Sequence, residues 1–428
     1  MRRRNIVLGG AAVVILAVVG AGAAWWVVNR KTADVHNGAS LPFTLTTDSS
    51  SQTTTSTGTS HPRHDVGPSW PVYGLSDART RDAAGLTDIH PPYHVQWSDP
   101  IGFLEYPPVY AKGVLFLYAN GGFVSARNVF TGKVLWSRKL LQAPSNLGQG
   151  SPAVHAGVVY LGARNGHIYA LSAATGKTIW DTNVGATMES SPALDSRYLY
   201  MADQSGAVRA LALATGKVVW TYHAGGPVKH GPAVAGGRVY FGDYGGGMYC
   251  LSAASGHQIW HSTTDGLSSG LRSGNFFSTP AVAYGRVYIG NTDDKLYSFV
   301  AATGQVAWTY TMPNWAYGSP AVSNGRVFAT SFDGTFGAFD ARTGAVLWLH
   351  KLPYRGLSSP TVVGPYVYVT DLGPSPGVAG RLFAYDTRTG RPAWQFGDGK
   401  YATPIAAAGR LVVSGATHVY VLRPRAPQ

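Results

Sequence analysis

The side chains best suited to chemistry lie in the connections between repeated segments of the sequence, and most of them are aromatic or basic. These connections vary in length, whereas the segments that they join are nearly uniform. Tyr, Trp and Arg are the residue types enriched at binding hot spots. Several of these side chains could instead simply pack over the rim of the fold. We predict a binding face formed by Lys229, His230, Arg272, Phe276, Phe277, Trp315, Tyr317, Tyr354, Arg355, Lys400 and Tyr401.

Patterns typical of catalysis are weak in this sequence. Cys250 is the single cysteine, so no intrachain disulfide can form, and the 13 histidines show no pair at metal-ligand spacing. The motif Gly-x-Ser-x-Gly does not occur. Glu105, Glu189 and Asp265 lie in connections, but nothing in the sequence places any two of them together, and we expect them to be solvated. We predict no catalytic or metal-binding residue, and we leave enzymatic activity open.

A repeated unit must position the connections. Seven times, a Thr-Gly or Ser-Gly pair is followed by tryptophan four residues after the glycine, and upstream of each tryptophan a proline opens an apolar run. The separation from proline to tryptophan is 28 residues in six units and 34 in the seventh. Such regularity indicates a repeat architecture. The opening prolines are Pro108, Pro152, Pro192, Pro232, Pro280, Pro320 and Pro360.

Each unit divides into four short strands with tight turns. In residues 151–180, Asn165-Gly166 predicts a hairpin turn in which both central residues take positive φ. Pro404 opens an eighth unit that supplies only three strands, and the segment from Tyr93 to Trp97 supplies the fourth. We predict an all-β, eight-bladed β-propeller closed by this N-terminal strand, which removes two sheet edges. We interpret eight tryptophans as wedges that seal neighbouring blades: Trp97, Trp136, Trp180, Trp220, Trp260, Trp308, Trp348 and Trp394.

The unit Gly-x-Val-Tyr … Asp/Asn-Gly … Tyr-Ala-Leu … Ala-Thr-Gly-Lys-x-x-Trp resembles the PQQ-like repeat family, as does the lead-in from Trp70 to Trp97. The resemblance covers about residues 70–425. That family includes quinoprotein dehydrogenases, which hold PQQ with a calcium ion and often a disulfide of adjacent cysteines. It also includes BamB-like envelope propellers, which are not enzymes. Because the disulfide is impossible here, we expect no cofactor, with PQQ and calcium as the alternative.

The first 69 residues predict where in the cell the protein lies and how it is attached there. Ile6 to Val28 is an uncharged run of 23 residues, preceded by three arginines and ending near Trp25-Trp26. We predict a transmembrane anchor over 1–30 with a cytoplasmic N-terminus, a flexible Ser/Thr-rich linker over 31–69, and a propeller over 70–428 outside the cytoplasm. The alternative is a cleaved signal peptide ending near Ala21-Gly22-Ala23. No cysteine lies nearby, so the anchor differs from the lipid anchor of BamB-like proteins.

Charge and location narrow the choice of partner. The net charge is +13, but the basic residues of 93–428 form no run, and nucleic acid is not expected as a partner outside the cytoplasm. We predict a membrane-anchored binding or scaffold module for a protein or a cell-envelope polymer. A PQQ-dependent quinoprotein dehydrogenase and a carbohydrate-binding propeller are the alternatives.

Overall fold

The computed structural model describes residues 33–44, 69–140, 150–264, 274–375 and 378–425. Within these ranges the chain forms strands and no helix, and the strands assemble into eight sheets. The prediction of an all-β, eight-bladed propeller is therefore confirmed. None of the described residues belongs to a helix long and apolar enough to cross a bilayer. The predicted anchor over 1–30 lies outside the described residues.

The strands of each blade run in order from the central channel to the outer edge. The inner strands are β3 (Val109–Ala111), β7 (Ala153–His155), β11 (Ala193–Leu194), β15 (Ala233–Ala235), β19 (Ala281–Ala283), β23 (Ala321–Ser323), β27 (Thr361–Val363) and β31 (Ile405–Ala407). The second strands are β4 (Val114–Ala119), β8 (Val158–Gly162), β12 (Tyr198–Ala202), β16 (Arg238–Gly242), β20 (Arg286–Gly290), β24 (Arg326–Thr330), β28 (Tyr366–Thr370) and β32 (Arg410–Ser414).

The outer half of each blade follows the same plan. The third strands are β5 (Phe123–Asn128), β9 (His167–Ser172), β13 (Ala207–Ala212), β17 (Gly247–Ser252), β21 (Lys295–Val300), β25 (Thr335–Asp340), β29 (Gly380–Asp386) and β33 (His418–Pro424). The outer strands are β6 (Val134–Lys139), β10 (Thr178–Asn183), β14 (Val218–His223), β18 (Gln258–Thr263), β22 (Val306–Thr311), β26 (Val346–Lys351), β30 (Pro392–Gly399) and β2 (Tyr93–Pro100). A two-residue strand, β1 (Asp82–Ala83), pairs in parallel with β27 inside the channel.

The ring closes as the sequence predicts. The N-terminal strand β2 pairs antiparallel with the C-terminal strand β33 and becomes the outer strand of blade 8. The hydrophobic core lies between neighbouring blades, where for example Phe116 and Tyr118 of blade 1 pack with Val159 and Leu161 of blade 2. Each blade thus buries both faces of its sheet, which explains the nearly continuous apolar strands.

The glycine and the tryptophan of the repeat meet across each blade boundary. Trp180 Nε1 donates a hydrogen bond of 2.9 Å to the Leu213 carbonyl of the next blade. A Cβ on Gly216 would lie 2.4 Å from the Trp180 ring, and Gly216 has φ of +70°. Glycine is therefore required both by the backbone and by the ring above it. The same contact joins Gly132 to Trp97, Gly176 to Trp136, Gly256 to Trp220, Gly304 to Trp260, Gly344 to Trp308 and Gly390 to Trp348.

One local feature differs from the sequence prediction. At the hairpin of blade 2 only Gly166 has positive φ, at +85°, whereas Asn165 does not. The Gly166 amide donates to the Ala163 carbonyl, so the hairpin turn is longer than the predicted two-residue turn. Gly166, its last residue, has the left-handed conformation. Between blades 7 and 8, Trp394 packs edge-on against Tyr93, with ring centroids 5.0 Å apart, so this tryptophan also seals two neighbouring blades.

Residues 33–44, called the strap below, lie on the outside of blade 5, although the sequence prediction placed them in the flexible linker. Val35 and Thr309 of β22 exchange hydrogen bonds. The Asp34 carboxylate accepts bonds from the Thr309 hydroxyl and from the amide and hydroxyl of Thr311. Arg286 donates to the carbonyls of three strap residues, and its side chain is buried there. The other described segment of the linker is residue 69.

Candidate functional site

The two faces of the propeller differ in what they present. The connection from each outer strand to the next inner strand lies beside the hairpin between the second and third strands, as the bond from Val184 N to Gly166 O in blade 2 shows. We call this side the loop face. The other side carries tight turns, such as those joined by the bond from Ala173 N to Gly157 O. We call it the turn face.

Residues 70–84, called the plug below, occupy the central channel. In each of blades 1 to 7, the residue two positions after the opening proline donates its amide hydrogen to the plug. These donors would otherwise line the free edges of the inner strands, so the plug satisfies them. The bonds run, in chain order, from Tyr110 to Trp70, Val154 to Pro71, Leu194 to the Asp77 carboxylate, Val234 to Asp77, Val282 to Ala78, Val322 to Thr80 and Val362 to Arg81.

Two arginines of the plug are fully buried on the channel axis. Arg79 donates to the carbonyls of Ser191 and Pro192 at blade 3 and of Pro232 at blade 4. Burial lowers the pKa of Arg79 to about 10, so the side chain stays charged at neutral pH. The Arg81 guanidinium lies 4.3 Å from the centre of the Tyr73 ring. Burial opposes ionisation of the Tyr73 phenol, but Arg81 and hydrogen bonds lower its pKa overall.

Above the plug, on the loop face, charged side chains from several blades converge. We call this group the cup, and its members are Glu105, Arg164, Glu189, Lys229, His230 and Tyr317. The Glu189 carboxylate is buried, and it pairs both with Arg164 and with Lys229, whose Nζ lies 3.3 Å away. Although burial disfavours the charged Lys229, the neighbouring Tyr317, Glu189 and Glu105 raise its pKa. Glu189 therefore connects the loops on either side of blade 3.

In the cup, His230 has a buried polar atom without a partner, and no described residue donates a hydrogen bond to the partly buried Glu105 carboxyl. Burial raises the pKa of the Glu105 carboxyl, although Lys229 opposes this effect. His230 Nδ1 lies 3.0 Å from the Tyr106 hydroxyl, while its Nε2 is buried without a hydrogen-bond partner. Burial, with Lys229 and Arg81 nearby, lowers the pKa of His230 well below its usual range, so the ring is neutral. Unsatisfied buried polar atoms are uncommon in folded proteins and call for an explanation.

Aromatic rings form the opposite wall of the cup. Phe277 and Tyr317 stack with centroids 5.2 Å apart and planes inclined by 23°. Tyr244 extends this wall at 4.5 Å from Phe277, and the Tyr317 ring meets His230 edge-on at 6.4 Å. The wall is only partly buried, so its outer surface remains available.

The repeat explains which side chains converge. Glu105, Glu189, Lys229, Phe277, Tyr317, Leu357 and Tyr401 each stand three residues before the proline that opens their blade. We call these positions the axial ring. The corresponding residue of blade 2, Gln149, lies outside the described residues. Each blade presents this position at the same height beside the channel. The position can therefore be identified in the sequence from the opening proline alone. This spacing is the signal by which sequence reasoning could have found Glu105 and Glu189.

The predicted binding residues divide into several groups in the structure. Lys229, His230, Phe277 and Tyr317 come together in or beside the cup, and Tyr401 is a further axial-ring residue. Glu105 and Glu189, which we expected to be solvated, are partly buried and buried respectively. Phe276 is fully buried against Gly242 and belongs to the core. Arg272 lies outside the described residues.

The remaining predicted residues lie farther out on the loop face. Trp315 packs on Phe332 with centroids 5.4 Å apart, and the Arg355 guanidinium lies 5.2 Å from the centre of the same ring. Tyr354 faces Arg381 at 6.0 Å. We call Trp315, Phe332, Tyr354, Arg355 and Arg381 the rim patch. Lys400 accepts a hydrogen bond at its carbonyl from Thr370, and its side chain is partly buried.

The comparisons with known proteins agree with this architecture. A family model described as outer membrane protein assembly factor BamB matches residues 94–196 and 251–425. The solved BamB from Moraxella catarrhalis is 21% identical, with a TM-score of 0.64, over 78% of this chain and 100% of that one. A comparison with curated proteins gives no match.

Quinoprotein enzymes share the fold as well. Quinohemoprotein alcohol dehydrogenase from Comamonas testosteroni is 14% identical, with a TM-score of 0.67, over 84% of this chain and 82% of that one. A europium-containing methanol dehydrogenase is 12% identical, with a TM-score of 0.69, over 84% and 99%. At these identities the likeness concerns the fold alone. The family match spans more than half of the chain, which therefore belongs to the BamB-type family of PQQ-like propellers.

The cup does not fit a calcium-bound quinone. In the part of the chain that the structure describes, no three His, Cys, Asp or Glu side chains cluster so as to hold a metal ion. The Glu189 carboxylate is already shared by two cations, and Cys250 is buried within β17. The cup thus combines fixed charges, a neutral imidazole and aromatic rings.

Proposed function

We propose that this member of the BamB-type family is a membrane-anchored, extracytoplasmic binding module that holds a protein or an envelope polymer on its loop face. The observation that carries the proposal is the axial ring. It gathers charged and aromatic side chains at the mouth of a channel that the plug fills from within. The channel beneath the cup is filled, so the loop face offers a closed surface on which a partner can be held. The BamB match supports a protein partner.

The rim patch supports a macromolecular partner. Arg355 is exposed, and Trp315 and Tyr354 are partly exposed, so their apolar surfaces are available for contact. The Leu372 amide donates to the Arg355 carbonyl, which joins this loop to the enlarged hairpin of blade 7. Arg and Trp held against other rings lose little side-chain entropy when they bind, and such residues contribute most to hot spots.

The strap indicates where the proposed anchor would join the propeller. Asp34 lies beside Thr311, at the loop-face end of β22, and Thr44 bonds to Tyr284 near the turn face. A chain that leaves a membrane anchor at residue 30 would thus meet the propeller at the loop face of blade 5. Alkaline extraction of membranes, with N-terminal sequencing of the protein, tests the anchor. Release into the soluble fraction with a new N-terminus near residue 24 would favour the cleaved signal peptide instead.

We also propose that the protein works without a quinone cofactor, because the donor set of the cup does not fit one. The fold match to alcohol and methanol dehydrogenases keeps oxidation of an alcohol as the second candidate. The test is to add PQQ and Ca²⁺ to the purified protein. A bound chromophore with dye-linked alcohol oxidation would establish the dehydrogenase and overturn our proposal.

The binding function is tested by photo-crosslinking in cells. A photoreactive amino acid replaces Arg355 on the loop face and, as the matched control, Lys177 on the turn face, and both positions are exposed. We expect discrete adducts from position 355 that are absent from position 177, and mass spectrometry then identifies the captured partner. Equal adducts from both faces, or none from position 355, would contradict the proposal.

A further inference from the structure

The axial ring is divided into a polar half and an apolar half. Blades 1, 3 and 4 contribute Glu105, Glu189 and Lys229, whereas blades 5 to 8 contribute Phe277, Tyr317, Leu357 and Tyr401. A ligand held between the two halves needs hydrogen-bonding groups along one edge and a flat apolar surface on the other side. We infer that the cup binds one pyranose unit at the end of a neutral glycan. This inference rests on the proposed binding function of the loop face and names its ligand class.

The polar half requires a ligand that both donates and accepts hydrogen bonds. No described residue donates to the Glu105 carboxyl, and the buried His230 Nε2 has no partner. A hydroxyl group is both a donor and an acceptor, so adjacent hydroxyls of one sugar ring can satisfy both groups. A ligand without such hydroxyls would leave His230 Nε2 unpaired and would cover the partly exposed Glu105 carboxyl without replacing its water, at a considerable energetic cost.

The apolar half supplies an apolar wall. Phe277 and Tyr317 stack on each other and are partly exposed, and Tyr244 packs against Phe277, so the exposed parts of the three rings form this wall. The C–H groups on one side of a pyranose form an apolar surface of similar size, whose burial on these rings is favourable. Ring packing within the protein holds the stack in place before the ligand arrives.

The charges in the cup argue against an ionic ligand. The two carboxylates of Glu105 and Glu189 face the two cations of Arg164 and Lys229, so the formal charges cancel. Glu189 already pairs with both cations, and a carboxylate or phosphate ligand would have to displace it. Binding through hydroxyls should depend little on salt concentration, unlike binding between charged partners.

The plug restricts how a polymer can enter. Because residues 70–84 bond to the inner strands of seven blades, the channel is closed beneath Tyr106 and His230. A glycan chain cannot pass through the ring, and its terminal unit is the part that fits above the plug. A free chain end, rather than an internal segment, is therefore the expected ligand.

The test uses the full-length protein in a detergent without a sugar headgroup, because a glycoside detergent would compete. The probes are chitohexaose, laminarihexaose and maltohexaose, and binding is measured by saturation-transfer NMR and calorimetry. We expect at least one probe to bind saturably, with the terminal unit receiving the strongest saturation. Its Kd should change less than twofold between about 50 and 500 mM NaCl.

Four variants locate the site. Glu105→Gln and Tyr317→Ala should each weaken binding by roughly tenfold or more. Asp88→Asn is the control for the first, because Asp88 is exposed and follows the plug beyond the channel. Tyr198→Ala is the control for the second, because it removes a partly exposed aromatic ring from the turn face. Both controls should keep the parent Kd within twofold, and circular dichroism checks that each variant is folded.

Failure of this inference can be distinguished from failure of the binding function. If no probe binds at about 10 mM, or if folded cup variants bind like the parent protein, the glycan site is refuted. If peptides, and not oligosaccharides, bind in a manner that requires Glu105 and Tyr317, the ligand class is wrong. In either case, adducts at position 355 that persist in cells would leave the proposed binding function standing.

Discussion

Replacing Arg79 by methionine is expected to loosen the plug from blades 3 and 4 and lower the stability of the whole ring. Arg79 is fully buried, and its guanidinium donates to Pro232 O at 3.1 Å, Pro192 O at 2.7 Å and Ser191 O at 3.2 Å. Methionine fills much of the same volume but donates no hydrogen bond. Carbonyls of two neighbouring blades would then be left without this donor in the channel.

The magnitude follows from these three bonds. Each buried carbonyl that loses its partner costs about 1–2 kcal/mol, so the variant should lose about 4 kcal/mol of unfolding free energy. The unfolding entropy of a globular protein is about 2.1 cal/mol/K per residue, or about 0.75 kcal/mol/K for a propeller of about 360 residues. The melting temperature should therefore fall by about 5 °C.

Differential scanning calorimetry at a fixed scan rate measures this change. Arg79→Lys tests the geometry, because a single ammonium group cannot reach both blades as the guanidinium does, and most of the loss should remain. Arg388→Met is the matched control, since Arg388 is exposed, and it should melt within about 1 °C of the parent. A melting temperature of Arg79→Met equal to that of this control would refute the clamping role of Arg79.

Three further predictions concern the strap, the blade boundary and pH. Asp34→Ala removes the acceptor of three hydrogen bonds, so hydrogen exchange at the Thr311 amide should accelerate roughly 30-fold. Gly216→Ala should cost about 2–3 kcal/mol, measured by calorimetry, because the new methyl group strains the backbone and displaces Trp180. Burial raises the pKa of Asp293 from 3.8 to about 6, so its contribution to stability is present below pH 3.8 and lost as the pH rises through 6. Asp293→Asn should therefore gain about 2–3 kcal/mol relative to the parent between pH 4 and 7.5, as followed by denaturant unfolding.

Each of these predictions has a matched control. Asp88→Ala should leave exchange at Thr311 unchanged, and equal exchange in Asp34→Ala would contradict the docking of the strap. Gly409 has φ of +72° and open space around its Cβ, so Gly409→Ala measures backbone strain without the tryptophan contact. A cost for Gly216→Ala no larger than this would contradict the wedge. Asp181→Asn, at an exposed site, should show no comparable gain with pH, and equal pH profiles for Asp293→Asn and the parent would contradict the burial of the carboxyl.

Much of the fold was predictable because the repeat encodes contacts between neighbours. The glycine and tryptophan of each unit meet across a blade boundary, and that contact recurs with the same spacing in the chain. The unit that opens at Pro404 lacks a fourth strand, and the strand that begins at Tyr93 takes the position of that outer strand. Local sequence and the need to pair every edge were sufficient to count the blades.

The site was only partly predictable, since its members are distant in the chain. Lys229, His230, Phe277 and Tyr317 were found through their residue types in unequal loops. Glu105 was expected to be solvated because nothing nearby in the sequence pairs with it. The equal offset of the axial-ring residues from their prolines was present in the sequence, but its meaning depends on the closed ring.

The sequence by itself determined the blades, their number and the strand that closes them, because these depend on spacings repeated within each unit. Only the tertiary structure decided where the non-repeating segments go. The plug enters the channel because the inner strands offer unpaired amides there, and the strap lies on β22 because Asp34 and Arg286 find partners across the blade. The cup forms because ring closure brings to one axis side chains that are more than 200 residues apart, such as Glu105 and Tyr317. Spacing along a chain specifies neighbours, whereas convergence on an axis depends on the closed geometry of all the blades.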